Sequence, residues 1–183
     1  MNEDEELVER IMPPLASRVK LHDKEFPIFE EYGVQTEIDK ALKSKVWLKS
    51  GGSIVINQTE ALVAIDVNSG KMASEKGVEA TATKSNLEAA VEVGRQLRLR
   101  DLAGLIVIDF IDMEIRENRR KVLESFKDAL SRDKTRTQVF EISELGLVEM
   151  TRKRIGEGLL TNFADPCVTC EGRGVMIDLS MLD

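Results

Sequence analysis

The hydrophobic and polar residues of the first half change period several times, and each change marks a predicted element. Apolar residues recur at helical spacing between residues 30 and 44, and the pair Gly51 and Gly52 ends that period. Residues 53–57 and 61–65 are short β-rich runs with three polar residues between them, which is typical of a hairpin. Residues 1–13 are acidic and show little pattern, so we expect them to be frayed.

In the middle of the chain, the pattern predicts a loop and then a helix. Residues 71–82 are polar and contain glycine, which is typical of a loop. The sequence Ser-Asn-Leu-Glu at 85–88 is a capping box that would open the helix. The predicted apolar stripe of this helix consists of Leu87, Val91, Gly94 and Leu97.

The remaining pattern adds strands and one more helix. Residues 104–109 form a nearly continuous apolar run, which is typical of a strand buried on both faces. A helix is predicted over 116–132, and strands over 137–143 and 145–150. The element order predicts an α/β fold with a layered mixed β-sheet and flanking helices.

Composition narrows the class of protein. The 183 residues are 42% hydrophobic and 32% charged, the balance of an ordinary globular domain. No apolar run approaches the roughly 20 residues that span a bilayer. Residues 1–10 lack the cationic flank and apolar stretch of a signal peptide. We therefore expect a cytoplasmic protein without a transmembrane segment.

The net charge of −7 argues against nucleic-acid binding unless positive charge is local or the carboxylates hold divalent cations. Basic residues do cluster, and each cluster is either a nucleic-acid contact or a solvated helix face. The clusters are Arg95, Arg98 and Arg100; Arg116, Arg119, Arg120 and Lys121; and Arg152, Lys153 and Arg154.

The counts of histidine and cysteine exclude several chemistries. His22 is the single histidine, which excludes an HExxH zinc site and argues against a histidine-based triad. Cys167 and Cys170 are the two cysteines, so a disulfide framework is excluded. Their spacing is compatible with half of a metal site or with a redox pair.

Two apolar strands end in carboxylates. Asp66 follows the run 61–65, Asp109 closes the run 104–109, and Asn68 lies one pleat beyond Asp66 on the same side. An ionised carboxylate in such a run costs several kcal/mol unless it is paired or bound to a cation. If the strands are neighbours, these residues suit Mg²⁺, which prefers one or two carboxylates, waters and phosphate. The alternative is that the aspartates cap a helix or pair with arginines.

Several long stretches resemble the ribonuclease E/G family. They cover most of residues 45–175, which makes the resemblance far more specific than a short motif. The stretches are GGSIVINQTEALVAIDVNSG at 51–70, NLEAA at 86–90, RQLRLRD at 95–101, GLIVIDFIDM at 104–113 and ISELGLVEMTRKR at 142–154.

This resemblance implies a DNase I-like catalytic subdomain over residues 42–163. Asp66 and Asp109 fall on the family's magnesium-ligand positions and Asn68 on its catalytic asparagine, while Asp112 lies in the same strand motif. The implied reaction is Mg²⁺-dependent endonucleolytic hydrolysis of single-stranded RNA to 5′-phosphate and 3′-hydroxyl ends, as in RNA decay and in rRNA and tRNA maturation. Arg136 falls on an arginine that recognises a 5′-monophosphate, or is simply an exposed arginine.

The cysteine pair also matches a family feature. The sequence CVTCEGRG at 167–174 resembles the zinc link, in which Cys167 and Cys170 of two chains together hold one structural Zn²⁺. This implies a homodimer or higher homo-oligomer. Two unligated thiols are the alternative, and a redox pair is less favoured because the pair does not open a helix after a strand.

The resemblance further implies a domain plan and a low catalytic turnover. Residues 1–41 correspond to an acidic start and the last piece of an RNase H-like domain, 164–177 to the zinc link, and 178–183 to the start of a small domain. An OB-fold and a 5′-sensor region of the family have no counterpart in the sequence, so we expect intact metal chemistry with weak turnover.

Two other functions remain open at this stage. One is a non-catalytic, zinc-linked scaffold that recruits other RNA-decay proteins, and the other is a DNA-directed nuclease.

Overall fold

The computed structural model describes residues 3–70, 77–143 and 146–176, and the chain divides into two units at residues 40 and 41. The predicted domain boundaries within residues 41–183 stay predictions. Those that concern 178–183 lie outside the described residues.

The first unit is made of short helices. Its elements are α1 (Glu3–Ile11), a 3₁₀ helix (Pro13–Arg18), α2 (Ile28–Glu31) and α3 (Val34–Ala41), whose last residue belongs to the second unit.

Two expectations for this region were wrong. The predicted fraying of residues 1–13 fails because Leu7, Val8 and Ile11 recur at helical spacing in α1. The single helix predicted over 30–44 is interrupted at Gly33, whose φ of 68° is a left-handed conformation.

The second unit is built on one six-stranded sheet, which confirms the mixed α/β prediction. Its strand order is β1-β2-β3-β4-β6-β5, in which β3 and β4 are parallel and every other neighbouring pair is antiparallel. The strands are β1 (Lys45–Trp47), β2 (Ser53–Gln58), β3 (Val63–Asn68), β4 (Gly104–Asp109), β5 (Thr137–Ile142) and β6 (Leu147–Arg152).

Helices α4 (Val78–Leu99) and α5 (Arg116–Leu130) pack against one face of this sheet and form the core with it. The opposite face, which we call the open face, carries alternate residues of the same strands. It includes Lys45, Trp47, Val55, Asp66, Asn68, Leu105, Asp109, Glu149 and Thr151.

The prediction that residues 104–109 are buried on both faces was wrong. Ile106 and Ile108 are 0% exposed, whereas Leu105 is 41% exposed and Asp109 is also exposed. Apolar residues on the open face hide the period-two alternation of this strand. The carboxylates therefore end on a solvated face, which removes the cost of burying them.

Helix α4 begins at Val78, seven residues before the predicted capping box. Ser85 lies inside the helix and is buried, so the capping box was wrong. Of the predicted loop 71–82, residues 71–76 lie outside the described residues and the part from Val78 onward is helical.

The predicted stripe of α4 was also partly wrong, because Val91 is 56% exposed. Small residues occupy much of the buried face instead, which allows close packing of the next helix. A Cβ added at Gly94 would lie 2.9 Å from the Cβ of Ala129 in α5. The buried residues of α4 are Ala82, Ser85, Asn86, Ala89, Ala90, Val93, Gly94, Gln96 and Leu97.

A buried ion-pair cluster ties β6 to the ends of two helices. The Arg152 guanidinium donates to Asp133 at 2.8 Å and to Asp101 at 2.6 Å, and also to the Leu102 carbonyl at 3.0 Å. The Arg152 and Asp133 side chains are 4% and 3% exposed. Breaking a buried pair of this kind is costly, because the partner is left as an uncompensated charge.

The short helix α6 (Leu159–Phe163) follows β6. Across the described ranges, none of the helices is long and apolar enough to cross a membrane.

Candidate functional site

Asp66 and Asp109 are direct partners across the parallel strands β3 and β4. Paired residues point to the same face of a sheet, and both side chains are exposed on the open face. Neighbouring strands lie about 4.8 Å apart, so the two carboxylates stand side by side. The structure thus brings together the two residues that the sequence predicted as cation ligands.

Asn68 joins this pair through a side-chain hydrogen bond. Its Nδ2 donates to Oδ2 of Asp66 at 2.7 Å, two residues away along β3. Strand β3 continues to Asn68, so Asp66 lies inside the strand and not at its end as predicted. Because both residues lie on a regular strand, the pleat itself holds the asparagine beside the carboxylate.

Glycines bring the chain close to the end of β3. A Cβ at Gly52 would lie 2.6 Å from the Asn68 carbonyl oxygen, and a Cβ at Gly70 would lie 2.5 Å from the Gly51 carbonyl oxygen. No other residue type leaves room for this approach of two backbone segments. The glycines of the 51–70 stretch therefore fix the backbone that carries Asn68.

Asn86 holds the segment that follows β4. It is fully buried in α4, and its side chain donates to the Ile111 carbonyl at 2.7 Å and accepts from the Ile111 N–H at 3.0 Å. Phe110 packs edge-on against Phe126, with ring centroids 6.5 Å apart. These contacts anchor the two residues next to Asp109. Our sequence reasoning missed Asn86 because it placed this residue in a helix cap.

Asp112 is exposed, and a Cβ at Gly146 would lie 3.6 Å from its Oδ1. It lies beyond the end of β4 and lines a cleft with Glu79, Glu114 and Asn118 at the start of α4 and α5. Glu79 accepts hydrogen bonds from the Glu114 N–H and from Asn118, which lower its pKa below the ordinary value despite partial desolvation. The structure does not bring Asp112 into the strand row of Asp66 and Asp109.

The donor set at the carboxylate pair suits a hard cation. In residues 3–70, 77–143 and 146–176, no group of three or more His, Cys, Asp or Glu side chains is arranged to hold a metal ion. Mg²⁺ needs fewer protein ligands, since it is commonly bound by one or two carboxylates, waters and substrate phosphate. Asp66 and Asp109 fit that requirement in number, chemistry and exposure.

Four of the eight arginines in the basic clusters serve the fold. Arg98 donates to the Ala129 carbonyl at 2.9 Å and Arg119 to the Met113 carbonyl at 2.9 Å. Arg100 and Arg152 are buried, and desolvation lowers the pKa of Arg100. The clusters are therefore only partly solvated. Their exposed members are Arg95, Arg116, Arg120, Lys121, Lys153 and Arg154.

Arg136 is exposed immediately before β5, far from the carboxylate pair. The adjacent Thr137 pairs with Arg152, which pairs with Gly104 at the start of β4. Asp109 lies five residues further along β4, about 17 Å at 3.3 Å per residue. Any phosphate bound by Arg136 would thus be well separated from Asp66 and Asp109.

The cysteine pair lies in a tight turn near the end of the described chain. The Glu171 N–H donates to the Cys167 carbonyl at 2.8 Å, and the Gly174 N–H donates to Sγ of Cys170 at 3.4 Å. Backbone hydrogen bonds from Cys170 and Thr169 lower the pKa of the Cys167 thiol. Amide groups directed at sulfur favour thiolates, the form that binds metal.

Comparison with known proteins identifies the family of this chain. The Ribonuclease E/G family model matches residues 1–155. The chain is 45% identical to Ribonuclease G of Haemophilus influenzae over 172 residues, and 43% identical to Ribonuclease G of Escherichia coli over 171 residues. It is 44% identical to Ribonuclease E of Haemophilus influenzae over 173 residues.

These matches cover 93–94% of the chain but a smaller part of each relative. The chain spans 35% of the length of the two Ribonuclease G proteins and 18% of that Ribonuclease E. The match of the family model extends over most of the sequence and includes Asp66, Asn68 and Asp109. The chain belongs to the ribonuclease E/G family.

Proposed function

We propose that this chain carries the cleavage centre of an Mg²⁺-dependent endoribonuclease that hydrolyses single-stranded RNA. The observation that supports this most directly is the pairing of Asp66 with Asp109 on adjacent strands of an exposed face. Relatives named Ribonuclease G and Ribonuclease E match almost the whole chain. The proposed products carry a 5′-phosphate and a 3′-hydroxyl.

Asp66 and Asp109 would hold the cation, and both are exposed on a face that an RNA phosphate could reach. Mg²⁺ bound there would supply an activated water and would neutralise charge on the scissile phosphate. The carboxylates contribute position and negative charge, and both come from rigid strands. A site built on strands is held more firmly than one on loops.

Asn68 would act as the orienting residue of this centre. Its amide N–H donates to Asp66 Oδ2, which favours one orientation of the carboxylate. The amide oxygen is an additional acceptor for a water or a ribose hydroxyl. An in-line attack requires such positioning, and small displacements at a reacting centre reduce rates strongly.

Arg136 would contact the 5′-monophosphate of the RNA at a distance from the cleavage centre. A guanidinium presents a planar fork of donors that matches phosphate oxygens. The separation along the sheet means that the terminal phosphate and the scissile phosphate would belong to different nucleotides of the same strand.

The cysteine turn would hold a structural Zn²⁺ jointly with a second copy of the chain. Structural zinc takes four ligands, and Cys167 and Cys170 supply two thiolates. Two copies complete a Cys₄ site and give a homodimer. Val168 lies between these cysteines and is 96% exposed, so its side chain leaves the turn open to a partner.

The second candidate function is a non-catalytic, zinc-linked scaffold. It is favoured by exposed apolar residues that follow β6 in the chain, among them Ile155, Phe163 and Met176. A scaffold would bind zinc and form dimers but would not need Asp66 beside Asp109.

Cleavage of an end-labelled, A/U-rich single-stranded RNA with a 5′-monophosphate distinguishes the two functions. The assay uses high protein concentration with Mg²⁺, and it compares the native chain with Asp109→Asn. Asp128→Asn, which changes an exposed aspartate of α5, is the matched control. We expect cleavage by the native chain and the control, and none by Asp109→Asn.

Equal cleavage by Asp109→Asn would refute the proposed centre, and absence of cleavage by any variant would favour the scaffold. A matched DNA strand added as competitor tests the substrate class. The RNA assignment fails if the DNA is cut as readily as the RNA.

A further inference from the structure

The tryptophan of this chain lies on the open face of the sheet, in register with the proposed catalytic residues. Trp47 in β1 pairs with Ser53 in β2, and Ser53 pairs with Asn68 in β3. One pleat away, Lys45 pairs with Val55, which pairs with Asp66. Two rows of side chains therefore run across the sheet from β1 to β3, one ending at Asn68 and the other at Asp66 of the carboxylate pair.

The separation between these residues follows from the sheet geometry. Trp47 and Asn68 are two strands apart, about 10 Å at 4.8 Å per strand, and Lys45 and Asp66 are equally distant. Asp109 lies one strand further in the row of Lys45. This spacing is suited to a neighbouring nucleotide of a strand whose phosphate lies at the carboxylates.

Trp47 is available to a ligand. It is 68% exposed, an unusual degree for the side chain with the largest aromatic surface. The Lys45 Nζ lies 4.2 Å from the indole centroid, which places a positive charge against one side of the ring. A flat ring beside a cation is the combination that binds single-stranded nucleic acid, because the base stacks and the phosphate meets the charge.

We infer that Trp47 and Lys45 form a subsite that stacks one RNA base and binds its phosphate beside the cleavage centre. This inference rests on the proposed function, since it takes single-stranded RNA as the ligand. Trp47 and Lys45 lie on the same face of the sheet as Asp66 and Asp109, so an RNA strand that runs from β1 to β4 would meet both pairs. Trp47 is thereby a substrate-positioning residue and takes no part in the chemical step.

The intrinsic fluorescence of Trp47 tests this subsite, because the chain contains one tryptophan. The measurement uses Asp109→Asn, so that the RNA is not consumed, and short A/U-rich single-stranded RNAs as ligands. We expect RNA to quench the emission and to protect the indole from acrylamide. A series of RNAs with one abasic site at successive positions should show lost quenching at a single position.

Binding of labelled RNA to substituted chains provides the second measurement. Trp47→Ala should weaken binding about tenfold or more, and Trp47→Phe should weaken it less, because the smaller ring still stacks. Lys45→Ala should reduce the salt slope of log Kd by about 0.7, the contribution of one phosphate on a single strand. Lys49→Ala, an exposed lysine two residues beyond β1, is the charge-matched control and should leave the slope unchanged.

Failure of this inference is distinct from failure of the proposed function. Cleavage by the native chain with unquenched Trp47, or quenching that no abasic position alters, would overturn the subsite and leave the cleavage centre intact. Position-dependent quenching without any cleavage would support the subsite and refute the centre. The subsite would also be overturned if adding Trp47→Ala to the Asp109→Asn chain left RNA binding as tight as before.

Discussion

The buried side chain of Asn86 makes two hydrogen bonds to the backbone of Ile111, one as donor and one as acceptor. Helix α4 thereby holds the segment that leaves β4 just after Asp109. Asn86 touches neither aspartate, and it acts on the site through the position of the backbone. Its role is structural support for a group that must be held accurately.

We expect Asn86→Ala to destabilise the second unit and to weaken cleavage. The substitution leaves the N–H and C=O of Ile111 without their partners, and we expect a loss of about 2 kcal/mol in the free energy of unfolding. Urea denaturation measures this loss. Asn162→Ala, in the short helix α6, is the exposed control and should change stability by less than about 0.5 kcal/mol. An Asn86→Ala chain as stable as the control would show that the two bonds contribute nothing.

Gly94→Ala should destabilise the chain although alanine is the better helix former. The new methyl would lie 2.9 Å from the Cβ of Ala129, and neither helix backbone can yield cheaply. Overpacking costs about 1–3 kcal/mol and exceeds the gain of about 1 kcal/mol from helix propensity. Thermal unfolding should show a lower Tm.

Ala129→Gly supplies the matching rescue for Gly94→Ala. Removing the opposing methyl restores the space between α4 and α5. The double variant should therefore lose less stability than the sum of the two single variants. Strictly additive losses would mean that the two residues do not limit the helix approach.

The free energy of unfolding should depend on the ionisation of Asp133. Burial alone raises the pKa of Asp133, but hydrogen bonds from Arg152 and from the Thr135 N–H outweigh it and leave the pKa lowered. A lowered folded pKa gives stability that is present above the unfolded value of about 3.9 and is lost as pH falls through the folded value. We expect urea midpoints to drop as the pH is lowered below about 4.

Substitution of Asp133 isolates this contribution. Asp133→Asn should be about 3 kcal/mol less stable near neutral pH, since it leaves Arg152 buried with less compensation. The urea midpoint of Asp133→Asn should also fall less than that of the native chain as the pH is lowered. Asp128→Asn is exposed and should keep the native pH profile. If Asp133→Asn lost stability in acid to the same extent as the native chain, the pH dependence could not be due to Asp133.

The zinc proposal predicts a ratio of one Zn²⁺ to two chains. Metal analysis of the purified chain gives this ratio, and sedimentation gives the mass. Cys167→Ser and Cys170→Ser should each lose zinc and become monomeric, and a strong chelator should have the same effect on the native chain. Val168→Ala should remain dimeric. Dimers that persist without both cysteines would show that another surface joins the copies.

Much of the fold could be predicted from the sequence because local patterns were strong. The β2–β3 hairpin has β-rich runs on both sides of a short polar turn, and it is present, although β3 begins at Val63 and continues to Asn68. The strand of Asp109 was predicted from its apolar run. Its one-sided burial was not, because Leu105 is apolar on the open face and conceals the alternation.

The part that could not be predicted depends on contacts between distant segments. The buried face of α4 consists largely of small and polar residues, so a search for large apolar residues selected the exposed Val91. Arg152 looked like part of a basic cluster, and only the positions of Asp101 and Asp133 show that it is a buried ion-pair residue. Neither relationship has a signal in the local sequence.

The pairing of Asp66 and Asp109 followed from sequence only in part. Each carboxylate was conspicuous after an apolar run, but adjacency requires β3 and β4 to be neighbours in the sheet. The strand register makes Asp66 and Asp109 neighbours. Asp112 is not part of this register, because β4 ends at Asp109. The sequence placed Asn68 and Asp66 on the same side of a strand, but it did not predict the hydrogen bond between them.

The most direct test of the central proposal is a double-mutant comparison of Asp66→Asn, Asp109→Asn and the chain with both changes. If both aspartates hold one Mg²⁺, each single change should lower the RNA cleavage rate about 100-fold or more, and the double change should add little. That result would mean that the carboxylates act as a single site. Losses that multiply, or one aspartate whose replacement leaves the rate unchanged, would contradict it.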